Sequence, residues 1–323
     1  MKKILIIHTG GTIAMMEDKS TGIVHQNVQN PLHQTTDALT SIANIIVEDL
    51  FQLPSPHITR NEMLALKHKI ETSIENDQIE GVVITHGTDT LEETAYFLDI
   101  TVQSDIPIVV TGAMRSSNEL GADGPYNLLS AVRVATSDSA RGKGVLVVFN
   151  DEIHTAKNVT KTHTSNIATF QSPQYGPIGI VTKRGVSFHH IPNIRETYNI
   201  NEIRKNVVLL KAYAGMDGSI ITAIRSLNLD GLVIEALGQG NLPPKMVKEV
   251  SELIQSGVPV VLVSRCFNGY VQDVYSYEGG GRQLKDLGVI FSNGLNGQKA
   301  RIKLLVTLEK TNDHKELQDM FLK

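Results

Sequence analysis

The sequence has few of the features that mark secreted, membrane-bound or nucleic-acid-binding proteins. Its 323 residues include one cysteine, Cys266, so no disulfide can form within the chain, which agrees with a reducing compartment. No run approaches the roughly 18 apolar residues of a membrane span. Lys and Arg number 30 against 34 Asp and Glu, a formal charge of -4. Phosphate binding depends on clustered positive charge, so we expect no nucleic acid as partner. The lack of a long apolar run likewise predicts no membrane partner.

The first residues, MKKILIIHTGG, contain a short apolar run that ends at two glycines. A signal-peptide core needs an apolar run of about 7 residues or more. We therefore interpret this segment as a first strand, not as an export signal, and expect a cytoplasmic protein.

Composition and periodicity together predict an α/β protein of two domains. Hydrophobic residues make up 41% of the chain, near the average for globular proteins, and 323 residues suit two cores of unequal size. Short runs rich in Val and Ile alternate with helical patterns, which is typical of a mostly parallel sheet flanked by helices. We predict a larger domain over residues 1–187, a polar linker over 188–206 and a smaller α/β domain over 207–323.

The secondary-structure elements can be placed from the same patterns. Thr59 is the predicted N-cap of the first helix, and Glu62 completes a capping box. The predicted strands are 3–8, 81–85, 107–111, 144–150, 207–212, 231–235 and 259–264, and the predicted helices are 61–75, 90–100, 125–137, one from 219, 243–256, 298–308 and 315–322.

The first motif with chemical potential is HTGGTIA, residues 8–14. A glycine pair lets the chain turn sharply after a strand and brings backbone N–H groups and the Thr12 hydroxyl to the carboxyl edge of the sheet, where open α/β sheets bind ligands. A plain glycine turn with Thr12 as an N-cap is the alternative. The third glycine of the dinucleotide fingerprint is missing, so we expect no such cofactor.

The second motif, THGTDT at residues 85–90, also follows an apolar strand. Helix capping needs only one or two of its polar side chains, which favours a function for Thr88 and Asp89. His8 and His86 do not belong to a spaced set of metal ligands, so we expect structural histidines and no metal.

The third motif is NVTKTHTS, residues 158–165, with Lys161 in a predicted loop. Together the motifs supply a hydroxyl nucleophile, a second hydroxyl, a carboxylate and an amine, which are the groups that covalent acyl transfer requires. A threonine hydroxyl needs a base, and a lysine can serve once it is neutral. Asp89 can orient that lysine.

These motifs resemble the two signatures of the bacterial-type L-asparaginases, in the asparaginase/glutaminase family. Residues 112–131, the GQGN segment with Asn241 and the GLNGQKAR segment at 294–301 are similar to further family segments. The resemblance covers essentially the whole chain. It implies hydrolysis of asparagine, with glutamine as an alternative substrate, and no cofactor.

The resemblance also implies roles for residues near the reacting amide. Thr12 is the expected nucleophile, and Thr88, Asp89 and Lys161 form a second set across the substrate amide. The expected oxyanion donors are backbone N–H groups around Gly11, Thr12 and Thr88.

Other residues are expected to hold the substrate. Ser55 grips the α-carboxylate together with Gly87, and the carbonyl of Ala113 accepts the N–H of the departing amide. Asn241 and Glu278 are expected to come from a neighbouring subunit, which implies a homotetramer or homodimer.

The chain departs from the family pattern at two points. Pro56 stands where some members have Gln, and no tyrosine precedes Tyr96, although members usually carry one in the loop after the first motif. We expect the loop 15–30 to close as a lid. The proton-transfer role of the missing tyrosine then falls to Tyr275 or Tyr277, to His25, or to Lys161 acting through Thr88.

Two other functions remain alternatives, namely the glutaminase subunit of a tRNA-dependent amidotransferase and a weakly active amino-acid-binding protein. The lack of a basic patch and of an extra N-terminal segment weakens the first alternative.

Overall fold

The structure, a computed structural model, describes residues 1–26, 30–33, 39–192, 195–292 and 294–322. The chain forms two compact units, Met1–Asn199 and Ile200–Lys323. The division falls within the stretch 188–206 that the sequence analysis assigns to a linker. The linker itself stays a prediction.

Strands and helices alternate through both units. The strands of the described residues are β1 (Lys3–His8), β2 (Met15–Glu17), β3 (Val24–Gln26), β4 (Asn44–Asp49), β5 (Gly81–Thr85), β6 (Ile108–Thr111), β7 (Val145–Phe149), β8 (Glu152–Thr155), β9 (Thr160–Lys161), β10 (Phe170–Gln171), β11 (Gly179–Thr182), β12 (Gly185–Phe188), β13 (Val207–Lys211), β14 (Gly231–Ala236), β15 (Val260–Ser264) and β16 (Ile290–Phe291). The α-helices whose bounds lie within the described residues are α1 (Arg60–Asp77), α2 (Leu91–Thr101), α3 (Gly124–Thr136), α4 (Ser219–Ile224), α5 (Val247–Gln255), α6 (Gly281–Asp286), α7 (Gly297–Leu308) and α8 (His314–Leu322).

The first unit is built on an eight-stranded sheet in the order β12-β11-β8-β7-β6-β5-β1-β4. Five neighbouring strands of this sheet are parallel, namely β4, β1, β5, β6 and β7. Numbered along the chain, these five have the spatial order 2-1-3-4-5, so the direction in which strands are added reverses between β1 and β5. Such a reversal leaves a crevice at the carboxyl ends of the two strands.

The central strands are hydrophobic on both faces because helices cover both sides of the sheet. All five residues of β5 and of β7 are buried. Helix α3 packs on one face, where Ile4, Ile6, Val83 and Val109 form a core with its residue Ala131. This double burial explains why near-continuous Val and Ile runs predicted these strands.

The far edge of this sheet is antiparallel, which the sequence analysis did not predict. Strand β8 returns beside β7, and β11 and β12 continue the ribbon. Asn150 and Asp151 form the turn with φ of 49° and 65°, the left-handed values that a two-residue hairpin turn requires. The edge strand β4 was also missed, although it contains the apolar run Ile45–Val47, and its residues are only partly buried.

The start of helix α1 follows the sequence prediction. Thr59 accepts a hydrogen bond from Asn61 N, and the Glu62 carboxylate accepts one from Thr59 N at 2.8 Å. The predicted capping box is confirmed.

The second unit has a four-stranded parallel sheet in the order β13-β14-β15-β16. Its strands follow one another in chain order, and helix α7 packs against β13, β14 and β15. The predicted fold class, a larger α/β domain with a mostly parallel sheet plus a smaller α/β domain, is confirmed. None of the helices in the described part of the chain has the length and apolarity needed to cross a bilayer.

Candidate active site

Two of the predicted motifs flank the reversal point of the first sheet. His8, the last residue of β1, lies in register with Thr85, the last residue of β5. Thr12 follows the first of these strands and Thr88 the second. The topology therefore places both threonine loops at the crevice where ligands bind in open α/β sheets.

The two loops touch through glycines. Gly11 has φ of 83°, a left-handed value that favours glycine, and a Cβ built on it would lie 2.2 Å from the Cα of Gly87. No side chain fits between the loops at this point. The contact brings together the residues that follow each glycine, Thr12 and Thr88.

Ser55 joins this contact from a third loop, after β4. A Cβ on Gly87 would lie 2.9 Å from Ser55 Oγ, and the backbone N–H of Asp89 donates to that oxygen at 3.1 Å. Thr90 Oγ1 donates to the Ser55 carbonyl at 2.8 Å instead of capping helix α2. Because Ser55 Oγ accepts from Asp89, its own proton is available to a ligand.

Lys161 reaches the second motif directly. Its Nζ lies 2.9 Å from Thr88 Oγ1 and 2.8 Å from Asp89 Oδ1. The lysine side chain is 16% exposed and the aspartate side chain 61%. The structure thus brings together the predicted hydroxyl, carboxylate and amine, although Lys161 lies 73 residues from Thr88 and 72 residues from Asp89 in sequence.

The prediction that Lys161 lies in a loop was wrong. It belongs to the short strand β9, which pairs antiparallel with β10. The buried Glu92 fixes this strand, since its Oε1 accepts from Thr160 Oγ1 at 3.0 Å and from Lys161 N at 3.2 Å. Sequence reasoning missed Glu92 because an acidic residue in a helix's first turn is common for helix-dipole reasons alone.

The two histidines of the motifs are hydrogen-bonded inside the protein. His86 Nδ1 donates to the Gly87 carbonyl at 2.7 Å, and Thr94 Oγ1 bonds to its Nε2 at 2.9 Å. His8 Nδ1 bonds to Thr85 Oγ1 at 2.7 Å. Burial lowers the pKa of each to about 4, so both are neutral near pH 7. Within the described ranges, no group of three His, Cys, Asp or Glu residues is arranged to hold a metal ion.

The backbone donors of the crevice differ in availability. The N–H of Gly11 donates to the Leu53 carbonyl at 3.0 Å, so Gly11 is removed from the expected oxyanion donors. Among the described residues, the N–H groups of Thr12 and Thr88 have no such partner. Thr12 is half-buried at the start of a short 3-10 helix, Thr12–Ala14, for which Gly11 and not Thr12 is the N-cap.

The segment after Thr12 forms a hairpin of β2 and β3. His25 lies on β3, exposed and in register with Met16. Asn118 binds strand β2 of this hairpin. Its Oδ1 accepts from Glu17 N at 2.8 Å, and its Nδ2 donates to the Glu17 carbonyl at 2.8 Å. Part of the predicted lid, residues 27–29, lies outside the described residues.

The remaining predicted residues of the second unit lie on neighbouring segments. Asn241 Oδ1 accepts from Gly281 N at 3.2 Å, and the adjacent Leu242 N donates to the Gly279 carbonyl. Glu278 is exposed. The rings of Tyr275 and Tyr277 are 5.5 Å apart, and both are exposed.

Comparisons with known proteins agree with the motifs. The family model described as "Asparaginase, N-terminal" matches residues 3–193, and that of the "Glutaminase/Asparaginase C-terminal domain" matches residues 206–321. An L-asparaginase of Bacillus licheniformis is 36% identical over 95% of each chain. A glutaminase-asparaginase of Pseudomonas fluorescens biotype A is 33% identical over 99% of this chain and 90% of that protein. The crystal structure of a probable cytoplasmic L-asparaginase from Campylobacter jejuni superimposes with a TM-score of 0.90 at 34% identity and full coverage of both chains. The chain belongs to the asparaginase family.

Proposed function

We propose that this protein hydrolyses the side-chain amide of L-asparagine, releasing aspartate and ammonia through an ester on Thr12. The observation that carries the proposal is the contact of Lys161 Nζ with Thr88 Oγ1 and Asp89 Oδ1, in the loop that touches the Thr12 loop. Membership of the asparaginase family supports the substrate class, a small molecule with an amide group.

Acylation begins with removal of a proton from the attacking hydroxyl. A lysine ammonium has three donors and no acceptor, so Lys161 acts only as the neutral amine. In that form it takes a proton relayed by Thr88 Oγ1 while Thr12 Oγ attacks the amide carbon. The C–N bond then breaks, the relay returns the proton to the leaving nitrogen, and ammonia departs. Water repeats the attack on the ester and releases aspartate.

The negative oxygen of the intermediate needs donors fixed in advance. The N–H groups of Thr12 and Thr88 meet this need, since the described residues offer them no other acceptor. Two such donors typically form the largest electrostatic contribution in acyl transfer.

The substrate's α-groups are held on the other side of Gly87. The Ser55 hydroxyl, which already accepts from Asp89 N, donates to the α-carboxylate. The exposed Asp89 carboxylate meets the α-amino group with the oxygen that does not bind Lys161.

We further propose a homotetramer or homodimer in which Asn241 and Glu278 of one subunit reach the site of a partner. Dilution should then lower specific activity as subunits separate. Full specific activity of a strictly monomeric form would contradict the shared site. A cytoplasmic location is proposed from the likeness to the Campylobacter jejuni protein.

An ammonia-release assay with L-asparagine and L-glutamine, over a wide range of concentration, tests the function. Release from asparagine supports it, and release from glutamine adds the second activity that the name of the Pseudomonas relative suggests. Binding of asparagine without ammonia release would favour an amino-acid-binding protein. Release only in the presence of a tRNA-amidotransferase partner would favour the glutaminase-subunit alternative.

A further inference from the structure

Ala113 carries a buried backbone carbonyl beside the candidate nucleophile loops. It follows β6 at the same edge of the sheet as Thr88, and a Cβ on the preceding Gly112 would lie 3.4 Å from Thr88 Cγ2. Ala113 is 1% exposed, yet no residue in the described part of the chain donates a hydrogen bond to its carbonyl. Buried carbonyls nearly always have a partner, so this oxygen is suited to a donor on a bound molecule.

The peptides around Ala113 are held from both sides. The N–H groups of Met114 and Arg115 each donate to the Asp123 carboxylate at 3.0 Å. On the other side, Asn127 Nδ2 donates to the Gly112 carbonyl at 3.0 Å. The direction of the Ala113 carbonyl between them is therefore set by two side chains at the start of helix α3.

Asn127 connects three elements at this edge. Its Nδ2 also donates to Asp123 Oδ2 at 3.1 Å, and its Oδ1 accepts from Asn150 N, in the β7–β8 turn, at 3.2 Å. The side chain is buried, and burying an amide in helix α3 is costly unless each of its groups is bonded. Its bonds reach the end of β6, the start of α3 and the end of β7.

The same helix start contacts the nucleophile's neighbour. A Cβ on Gly124 would lie 2.8 Å from Ile13 Cγ1 and 3.3 Å from the Ala113 Cβ. The first turn of α3 thus touches both the residue after Thr12 and the Ala113 segment. A shift of one relative to the other would move the acceptor relative to the nucleophile.

We propose that Asn127 is a positioning residue that aims the Ala113 carbonyl at the leaving nitrogen of the substrate. The inference rests on the proposed function. As Thr12 Oγ bonds to the carbonyl carbon and the C–N bond breaks, the nitrogen keeps its hydrogens and gains one from the proton relay. The Ala113 carbonyl accepts one of these N–H groups. The alkoxy oxygen of an ester carries no hydrogen until the relay protonates it, so it donates no such bond to this carbonyl as Thr12 Oγ attacks.

The test compares two substrates that form the same acyl-enzyme, L-asparagine and L-aspartate β-methyl ester. Asn127→Leu keeps a similar volume but removes the bond to Gly112. We expect kcat/KM for asparagine to fall by about 10- to 100-fold, the scale for a misplaced group, and kcat/KM for the ester to fall by no more than about 3-fold. Since kcat/KM reports acylation, a common deacylation step cannot hide the difference.

Ser130→Ala is the matched control on the same helix. Ser130 is buried, and its hydroxyl has no hydrogen-bond partner in the described residues, so both substrates should react as with the wild type. If Asn127→Leu does not fold, Asp123→Asn removes an acceptor on the opposite side and should show the same selectivity. Equal losses with amide and ester in the folded variant would overturn the positioning role. A wild type that releases no ammonia from asparagine would instead overturn the proposed function, and this inference with it.

Discussion

The two parallel sheets differ in the order of their strands, and this difference separates their roles. In the first unit the order reverses between β1 and β5, and it is at such a reversal that open α/β sheets bind ligands. In the second unit the four strands follow chain order without reversal. Two sheets of the same strand-helix pattern thus differ in whether a ligand crevice forms at the carboxyl edge.

The side chains after the strands differ in the same way. The first unit places Ser55 and Thr88 at its edge, both buried, and a mostly buried Lys161. After the strands of the second unit come exposed aromatic side chains, namely Tyr213, Phe267, Tyr270, Tyr275 and Tyr277. The first edge thus buries polar side chains, whereas the second presents aromatic side chains on its surface.

The largest expected effects come from hydroxyls of the first edge. Thr12→Ala and Thr88→Val should each reduce turnover of asparagine by several orders of magnitude while the fold persists, because these groups act as a unit. Ammonia release would measure turnover, and circular dichroism the fold. Thr101→Val is the matched control, since it removes a buried threonine hydroxyl that bonds only within helix α2, to the Phe97 carbonyl. Near-normal activity of either site variant would contradict the mechanism.

The residues of this first prediction could be named from sequence because chemistry and strand pattern coincide there. Strands β1 and β5 were predicted with their observed bounds, since all but one of their residues are buried and apolar patterns predict such strands best. The motif chemistry likewise singled out Lys161, although it lies 73 residues from Thr88. The strand order could not be predicted, because it depends on pairing between residues far apart in sequence, such as Lys3 with Asn44. The same limit hid Glu92, whose part depends on a contact 68 residues away in sequence.

Loss of the amine should be comparably damaging. Lys161→Met removes the only base in the proposed relay, so turnover of asparagine should fall by several orders of magnitude. Ammonia release would measure this loss. Lys69→Met is the control, because it breaks another lysine-carboxylate pair of the same unit, with Glu48. Near-normal turnover by a folded Lys161→Met variant would count against Lys161 as the base.

A smaller effect would show whether the second edge also contributes chemistry. The loop after Thr12 has no tyrosine. A phenol from Tyr275 or Tyr277 can take the place of that tyrosine only if the carboxyl edge of the second sheet reaches an active site. Changing both to Phe should then lower turnover by about 10²-fold, the scale for a general acid-base group. Tyr126→Phe, at an exposed tyrosine of the first unit, should have no effect. Unchanged turnover in the double variant would leave His25, or Lys161 acting through Thr88 and water.

The smallest effect concerns stability, and it tests how far the first edge depends on neutral buried groups. His8 and His86 have pKa values lowered to about 4 by burial, whereas an unfolded chain binds a proton on each near pH 6.5. Below pH 6.5 the unfolded state therefore binds more protons, so stability is lost as pH falls towards 4. Lowering the pH from 6.5 to 5.5 should reduce the free energy of unfolding by about 1 kcal/mol for each histidine.

Denaturant unfolding at several pH values between 7 and 5.5 would measure that slope in the wild type and in two variants. His86→Gln removes one titrating group, so its stability should depend less on pH, by about 1 kcal/mol between pH 6.5 and 5.5. His314→Gln is the matched control, because His314 is the second unit's one histidine and is exposed, and its variant should keep the wild-type slope. If the stability of His86→Gln depended on pH as strongly as that of the wild type, burial would not be what keeps His86 neutral. The difference between the two edges would then lie in topology alone, because a crevice needs the strand reversal but not a dry interior behind it.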